Sequence, residues 1–401
     1  MCMANADFRI GSHSDDSNLP HDLPFHMPRL CFCLIIVVSV LTSSLQADEV
    51  APKSASAATA DSVQVGDRVI VTVAGAPLKT PEKTVWKAYP GDVYEVALVN
   101  GEWLWIVEKG GWLWQKQTLP FDTAIEQLTQ QLGENETAET YNLRGVARLA
   151  HEDFENAVAD FTASLQQGKH SAGVLNNRGK AYFQQADYQK AIADFDAALQ
   201  LNPNHFVALN NRALCHIALG EFQTALQDLD AAVKLNDAYP EALNNRGVVH
   251  MQLSETQKAI DDYSAAIKIY GGYVEAYGNR SYAYRRNGQF DLAIADLRSA
   301  MKSAPLDFKP VNDLAWMLAT SEEATDQQIQ ESVELATKAC QMTQYENWNC
   351  IDTLAAACAA AGQFEQAEQW ANTALKQAPA AGRPGLEEHV RLIQAQQPIR
   401  Q

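Results

Sequence analysis

The sequence predicts a mostly α-helical protein, an array of antiparallel helix pairs that follows a small five-stranded β-barrel. Three observations lead to this fold class. A 34-residue repeat occupies the middle of the chain, a tryptophan-rich segment with strand-like alternation precedes it, and the first 61 residues show neither pattern. A chain of 401 residues has room for two or three domains.

The repeat becomes visible when the chain is aligned with itself. Segments that begin with Leu-Asn-Asn-Arg start at Leu175, Leu209 and Leu243, and the same register extends to Tyr141 and Tyr277. Five copies therefore follow one another with a spacing of 34 residues over residues 138–307. A period of this length indicates a supersecondary unit that buries its apolar face against the next copy.

Small and large apolar residues recur where two helices of one copy must touch. The first helix carries a small residue in its middle, at Gly145, Gly179, Ala213, Gly247 and Ser281. The second helix carries an alanine at Ala157, Ala191, Ala225, Ala259 and Ala293. A large apolar residue follows each alanine one helical turn later, at Phe161, Phe195, Leu229, Tyr263 and Leu297.

These residues resemble the tetratricopeptide repeat at nearly every signature position. The resemblance implies a superhelical solenoid of helix pairs whose concave groove binds a peptide or a protein segment. Two degenerate repeats are predicted over residues 308–381, the first with a lengthened turn at 321–328. Because the ends of an array need a closing surface, we expect capping helices within 121–137 and within the C-terminal segment 382–401.

Residues 62–120 are predicted to form the β domain. The segments DRVIVTV, KTVWKAY, DVYEVALV, EWLWIV and GWLWQK alternate like strands and are separated by turn-forming residues. The last two segments resemble those of bacterial SH3-like domains, which implies a link to cell-wall material. The acidic-aromatic motif of eukaryotic SH3 domains is missing, so binding of proline-rich peptides is not implied.

Four tryptophans lie in the last two predicted strands of this domain. Alternation places Trp103 and Trp105 on one face of their strand, and Trp112 and Trp114 on one face of the next. Two interpretations remain open at this point. The rings form the core of a small barrel, or they form an exposed aromatic surface on which a sugar or a peptide stacks.

The N-terminal residues 1–47 are predicted to be a secretory signal that is cleaved after Ala47, with an uncleaved anchor as the alternative. The apolar run from Leu30 to Leu41 is shorter than the roughly 20 residues that span a bilayer. Acidic residues before Met27 do not suit a signal, so we expect translation to start at Met27. Residues 48–61 are predicted to be a flexible linker. The mature protein is thus expected outside the cytoplasm, in the periplasm or cell envelope, or secreted.

Four cysteines follow the predicted signal, at Cys215, Cys340, Cys350 and Cys358. In an oxidising compartment, Cys340 and Cys350 are candidates for a disulfide across a short connection. The alternative is that all four are isolated buried thiols.

Catalytic chemistry is not predicted anywhere in the chain. The sequence contains no glycine-rich phosphate loop, no Gly-x-Ser-x-Gly elbow and no His-Glu-x-x-His motif. His216 and His250 occupy equivalent positions of neighbouring repeats, where a packing role is favoured over a metal pair. We therefore expect no cofactor and no metal, and the net charge of −18 argues against a nucleic-acid partner.

Two polar residues recur with the period and suggest ion pairs. The arginines are Arg144, Arg178, Arg212, Arg246 and Arg280, and an aspartate follows each of them 16 residues later. Residues that flank the turn of an antiparallel helix pair symmetrically lie at the same height. We therefore predict that each arginine meets an aspartate of its own or an adjacent repeat and sets the register of the stack.

An asparagine series precedes four of these arginines, at Asn177, Asn211, Asn245 and Asn279. Asparagine is a poor helix former, so its repeated use within a first helix needs another reason. Members of the family, including the repeat region of O-linked N-acetylglucosamine transferase, use this site to hold a peptide backbone. The resemblance implies free amides in the groove; the competing view is that they bond to the neighbouring repeat.

Two functions remain open from the sequence. The first is a non-enzymatic scaffold that binds a peptide or protein segment in the groove, where Arg285 and Arg286 are expected to add positive charge. The second is a cell-envelope protein that binds cell-wall glycan or peptide through its SH3-like domain, with the repeats as a spacer or assembly surface.

Overall fold

The computed structural model describes residues 63–72, 76–80, 84–106, 109, 111–168 and 170–400. These residues form two compact parts, an N-terminal part that ends at Leu219 and a C-terminal part that starts at Gly220. The predicted signal, start site and linker lie outside the described residues. None of the helices in the described ranges is both long and apolar enough to cross a bilayer.

The N-terminal part begins with short antiparallel strands in two sheets. The strands are β1 (Arg68–Val71), β2 (Ala76–Lys79), β3 (Thr84–Ala88), β4 (Val93–Glu95), β5 (Leu98–Asn100), β6 (Trp103–Ile106), β7 (Gly111–Trp114) and β8 (Thr118–Pro120). The first sheet has the order β4-β1-β8, and the second has the order β3-β2-β7-β6-β5. Their shared core includes Val69, Leu78, Leu104, Ile106 and Leu113, all fully buried.

The predicted count of five strands is wrong, because the described residues form eight short strands in two sheets. The segment DVYEVALV, expected as one strand, divides between the sheets because the Val96 amide donates to Asp67 and the Ala97 amide donates to Trp105. Strand β2 was missed because it is short and contains Pro77, a residue that weakens a strand assignment. Strand β8 was missed because it is a three-residue segment that ends in a proline.

The rest of the described chain is helical, and within each part consecutive helices pack in pairs, which confirms the predicted fold class of a helix-pair array preceded by a small β region. The N-terminal part contains α1 (Ala124–Glu134), α2 (Ala138–Ala150), α3 (Phe154–Gln166), α4 (Ala172–Gln184), α5 (Tyr188–Leu201) and α6 (Phe206–Ala218). The C-terminal part contains α7 (Phe222–Leu235), α8 (Pro240–Gln252), α9 (Thr256–Ile269), α10 (Val274–Arg286), α11 (Phe290–Ser303), α12 (Phe308–Thr320), α13 (Asp326–Met342), α14 (Trp348–Ala360), α15 (Phe364–Gln377) and α16 (Arg383–Gln394).

Each helix pair closes where the sequence placed its small residues. A Cβ atom added at Gly145 would lie 2.7 Å from Cε1 of Phe161, and one at Gly179 would lie 2.6 Å from Cε1 of Phe195. The aromatic ring of the second helix thus occupies the space that a side chain of the first helix would need. In the fifth repeat the small residue is Ser281, whose hydroxyl donates to the Ala293 carbonyl at 2.9 Å.

The turn after the first helix of each of the five repeats needs one residue in the left-handed region. That residue recurs with the period, at Glu152, Ala186, Gly220, Ser254 and Gly288, with φ between 60° and 76°. After α4, the Ala186 amide donates to Phe183 and the Asp187 amide donates to Tyr182, which satisfies the last carbonyls of the helix. Three of the five turns adopt this conformation without glycine, at a typical cost of about 1–2 kcal/mol each.

Candidate functional site

Within each part, the first helices of successive pairs lie side by side and form a layer. In the N-terminal part α2 contacts α4 and α4 contacts α6; in the C-terminal part α8, α10, α12 and α14 contact one another in that order. We call the surface of this layer the first-helix face. It is the surface on which the sequence placed the asparagine series and the Arg285–Arg286 pair.

The recurring arginines fix the positions of these helices. Arg178 donates from Nε and Nη2 to the two carboxylate oxygens of Asp194, each at 2.7 Å, and from Nη1 to the Thr162 hydroxyl at 3.1 Å. Arg280 repeats this arrangement with Asp296 and with Ser264. One guanidinium therefore joins its own helix pair through the aspartate and the preceding repeat through Nη1.

The predicted ion pairs are confirmed for Arg144, Arg178, Arg246 and Arg280, each of which forms a bidentate pair with the aspartate 16 residues later. The hydrogen bonds that the four arginines donate to these aspartates raise the pKa values of the arginines. For Arg212 the structure gives an ion pair with Asp196 of the preceding repeat. The arginines are structural residues that also organise the first-helix face.

Two members of the asparagine series, Asn211 and Asn279, do not present free amides as expected. Asn211 Nδ2 donates to Asn176 Oδ1 at 2.9 Å, and Asn279 Nδ2 donates to Asn244 Oδ1 at 2.9 Å. In both cases the acceptor belongs to the preceding repeat, so the competing view, that these amides bond to the neighbouring repeat, is correct for Asn211 and Asn279. The doubled asparagine of the Leu-Asn-Asn-Arg motif is the sequence signal that would have revealed this bond.

The asparagine series also differs in exposure between the two parts. Asn177 and Asn211 are only 5% and 4% exposed, whereas Asn245 and Asn279 are half-buried. Between the first two repeats the equivalent bond does not form, since the buried Asn142 Oδ1 has no hydrogen-bond partner among the described residues. The N-terminal members therefore offer little surface to a ligand, and the C-terminal members offer more.

A cationic cluster lies on α10 beside Asn279. Tyr282, Arg285 and Arg286 are three and four positions apart and thus share one side of the helix. Arg286 Nη1 donates to the Tyr282 hydroxyl at 3.5 Å, and the Arg285 guanidinium lies 5.8 Å from the centre of the Tyr282 ring. Burial and the nearby charge of Arg286 lower the pKa of Arg285. The cluster presents one exposed and one half-buried cation on the first-helix face.

The last two repeats are contacted by the C-terminal segment. His389 of α16 places Nδ1 3.0 Å from both carboxylate oxygens of Asp352 on α14, and its ring centre lies 5.7 Å from that of Trp316 on α12. Farther along, Arg400 donates to the Ser321 carbonyl at 2.9 Å. Helix α16 and the following residues therefore pack on first helices of the C-terminal part.

The four tryptophans of β6 and β7 lie outside the core of the β domain, so the interpretation of these four rings as core is wrong. The residues between them, Leu104 and Leu113, point inward and are fully buried. Trp103, Trp105 and Trp112 are half-buried, and Trp114 is 36% exposed. Register joins them across β6 and β7, because Trp103 lies opposite Trp114 and Trp105 lies opposite Trp112.

This tryptophan face is extended by apolar residues and edged by charges. The Trp105 and Trp112 rings meet edge-on at 5.3 Å, and Leu98, opposite Trp105, is 44% exposed. At the other edge, Glu102 accepts hydrogen bonds from Trp114 Nε1 and lies 3.1 Å from Lys116 Nζ. Hydrogen bonds from Lys116 and Trp114 lower the pKa of Glu102.

The remaining candidates for chemistry are structural. Cys340 and Cys350 are both free and buried, so the disulfide alternative is wrong, and burial raises the pKa of each thiol to about 12. His250 is buried, with Nδ1 2.6 Å from Glu255 Oε2, as expected for a core histidine. Within the described ranges, no three His, Cys, Asp or Glu residues are grouped as a metal site.

Comparison with known proteins identifies the repeats. Family models described as tetratricopeptide repeat match residues 172–205, 210–274 and 274–305. These segments are therefore tetratricopeptide repeats, in a scaffold consistent with protein–protein interaction. Comparison with curated protein sequences finds no match.

Several solved structures are similar to parts of this chain. A chain in the crystal structure of the APC/C hetero-tetramer Cut9–Hcn1 is 17% identical, with a TM-score of 0.50 over 58% of this chain and 45% of that one. A tetratricopeptide repeat protein from Parabacteroides merdae is 17% identical, with a TM-score of 0.45 over 68% and 99% of the two chains. YrrB, described as having an unusual peptide-binding site, is 22% identical, with a TM-score of 0.36 over 45% and 94%. At these identities the likeness concerns the fold alone.

Proposed function

We propose that the chain is a non-enzymatic scaffold that binds an extended segment of a partner protein on the first-helix face of α8 and α10. The cluster of Tyr282, Arg285 and Arg286 is the observation that carries this proposal. In a chain with a net charge of −18, two adjacent cations beside an aromatic ring form a local site of opposite sign. Guanidinium groups form strong hydrogen bonds with carboxylates, so the favoured segment carries an acidic side chain.

Asparagine supports the same site in a more limited way than the sequence suggested. Asn279 uses Nδ2 to hold Asn244 of the preceding repeat, and its Oδ1 retains the capacity to accept a hydrogen bond from a peptide amide. Asn245 lies one repeat earlier and is likewise half-buried. Substituting Asn279 would disturb both the stack and the site, which makes the arginines the better residues to test.

Reversal of both charges, Arg285→Glu with Arg286→Glu, is expected to weaken the binding of the partner segment by at least about tenfold, or about 1.4 kcal/mol. A photo-crosslinking residue in place of Tyr282 would first capture the bound segment in intact cells, which keeps the chain in its native compartment. Mass spectrometry would identify that segment, and fluorescence anisotropy would measure its affinity for each full-length variant.

The matched control is Lys234→Glu with Lys268→Glu, which changes the net charge equally on exposed positions of the second helices α7 and α9. This control is expected to bind like the parent. Equal affinity of the Arg285/Arg286 variant and the parent would remove the basis of the proposal.

Export from the cytoplasm is part of the proposal and rests on the sequence alone. The apolar run from Leu30 to Leu41, followed by the small residue Ala47, supports a cleaved signal. The partner would then be a protein of the periplasm, of the cell envelope or of the exterior.

The tryptophan face favours a second function, attachment to cell-wall glycan. Half-buried and exposed rings in a row suit the flat apolar faces of sugars, and Glu102 and Lys116 supply polar groups at the edge. We expect purified peptidoglycan to retain the full-length chain. A variant in which Trp103 and Trp112 are both changed to serine should not be retained. The Arg285/Arg286 variant should be retained like the parent; retention of the tryptophan variant to the same extent would refute this function.

A further inference from the structure

The connection between β3 and β4 is a tight, self-supported turn. It consists of Tyr89, Pro90, Gly91 and Asp92, with proline at the second position and a glycine of φ 90° at the third, as a type II turn requires. The Asp92 amide donates to the Tyr89 carbonyl at 3.0 Å, and the Tyr89 amide donates to Asp92 Oδ2 at 2.8 Å. The turn therefore keeps its conformation without help from the helices.

This turn meets three successive first helices of the N-terminal part. A Cβ atom added at Gly91 would lie 3.8 Å from Cδ2 of Leu149 on α2. Lys180 on α4 donates from Nζ to the Pro90 carbonyl at 3.5 Å. The Tyr89 ring lies edge-on to Phe206, at the start of α6, with 6.4 Å between the ring centres.

The contacts are those that a bound peptide would make. A backbone carbonyl accepts from a lysine, an aromatic side chain packs on an aromatic residue, and an acidic residue lies near the same lysine. Burial lowers the pKa of Lys180, and the charge of Asp92 opposes that shift. A half-buried lysine on a first helix, with a carbonyl and a carboxylate of another segment beside it, is a recognition group for such a segment.

The base of the turn is held to the repeats by apolar packing. Ile70 of β1 and Val93 of β4 belong to one core cluster with Leu128 of α1 and with Val146 and Leu149 of α2. This packing explains why the β domain is fixed to the first repeats. It does not explain the reach of the turn to Lys180 and Phe206, which lie on the next two first helices.

We infer that the Tyr89–Asp92 turn occupies, in cis, a peptide-binding face formed by α2, α4 and α6. A partner segment with the same chemistry, an aromatic residue followed by proline, glycine and an acidic residue, competes with the turn for this face. The inference goes beyond the proposed function, because it concerns other helices in the other part of the chain. Failure of one leaves the other intact.

The test uses Gly91→Val in the full-length chain. A β-branched residue is disfavoured at φ 90°, so this change should open the turn and uncover the face. The control is Gly66→Val, which places the same strain at φ 93° in the same domain, at a position with nothing within 4 Å of the added Cβ. The probe is a fluorescein-labelled peptide of residues 87–95, KAYPGDVYE.

We expect the probe to bind Gly91→Val at least tenfold more tightly than the parent or the Gly66→Val control. Adding Lys180→Gln to Gly91→Val should abolish the gain, because it removes the cation that meets the carbonyl and the acid. Equal binding to all variants, or a gain that survives Lys180→Gln, would overturn the inference.

A second measurement reports whether the turn covers the face, and it does not use the peptide. Acylation of Lys180 by an amine-reactive ester, measured by mass spectrometry, should be slow in the parent and in Gly66→Val and at least tenfold faster in Gly91→Val. Equal rates would show that the turn does not cover the face; faster acylation without probe binding would show that the face does not bind peptides. If Gly91→Val does not fold, Tyr89→Ala removes the ring from Phe206 without backbone strain and takes its place in both assays.

Discussion

Replacing Gly179 with leucine is expected to lower the free energy of unfolding of the N-terminal part by about 3 kcal/mol. The first added atom alone would lie 2.6 Å from Cε1 and 2.9 Å from Cζ of Phe195, a ring that is fully buried. The better helix propensity of leucine returns about 1 kcal/mol at most, so the clash dominates. Differential scanning calorimetry should show a fall in melting temperature of about 6–12 °C.

The matched control is Gly278→Leu on α10. Gly278 lies in a first helix like Gly179, but a Cβ atom added there meets nothing within 4 Å. This variant should melt at or slightly above the temperature of the parent. Gly382, which looks equally free in the sequence, is a poorer control because an added Cβ would lie 3.2 Å from the Trp348 ring. Equal melting temperatures for Gly179→Leu and Gly278→Leu would contradict the close approach of α4 and α5.

Replacing Asp160 with alanine is expected to lower the free energy of unfolding by about 3–5 kcal/mol. Asp160 is 2% exposed and pairs with two cations, Arg144 at 2.7 Å and Arg148 at 2.7 Å. Removal of the carboxylate leaves both guanidinium groups next to each other without their shared anion. Urea denaturation followed by circular dichroism would measure the loss.

The control for this change is Glu331→Ala on α13. Glu331 pairs with Arg298 at 3.0 Å, but the Arg298 side chain is 56% exposed and that of Glu331 is 33% exposed, far more than the buried Asp160. Ion pairs that are accessible to water contribute about 0–1 kcal/mol to stability. The free energy of unfolding of the control should therefore fall only a little, and by still less at high salt. A loss at Asp160 no larger than that at Glu331 would show that the recurring ion pairs do not support the array.

The sequence was sufficient for features that depend on the repeat period alone. Gly179 beside Phe195 and Arg178 beside Asp194 follow from their positions within the repeat, because both contacts lie within one helix pair. Contacts between repeats were harder to predict. The bond from Asn211 to Asn176 depends on how neighbouring first helices are rotated, which the period does not specify.

The β domain shows a second limit of the sequence. Alternation placed Trp103 and Trp105 on the same face, and the structure agrees, but alternation cannot tell which face of a sheet is buried. The passage from one sheet to the other at Val96 and Ala97 has no local signal, because the segment remains apolar and strand-like on both sides. The contact of Lys180 with Pro90 joins residues 90 positions apart and follows only from the packed structure.

The arginine that joins two repeats also constrains how such a gene can lengthen or shorten. Arg178 needs Asp194 from its own pair and Thr162 from the pair before it, and Arg280 needs Asp296 and Ser264 in the same way. An unequal crossover that adds or removes a whole number of 34-residue copies gives every arginine both of its acceptors again. A crossover out of phase leaves a half-buried guanidinium without its carboxylate, so selection should preserve in-phase duplications and eliminate the others.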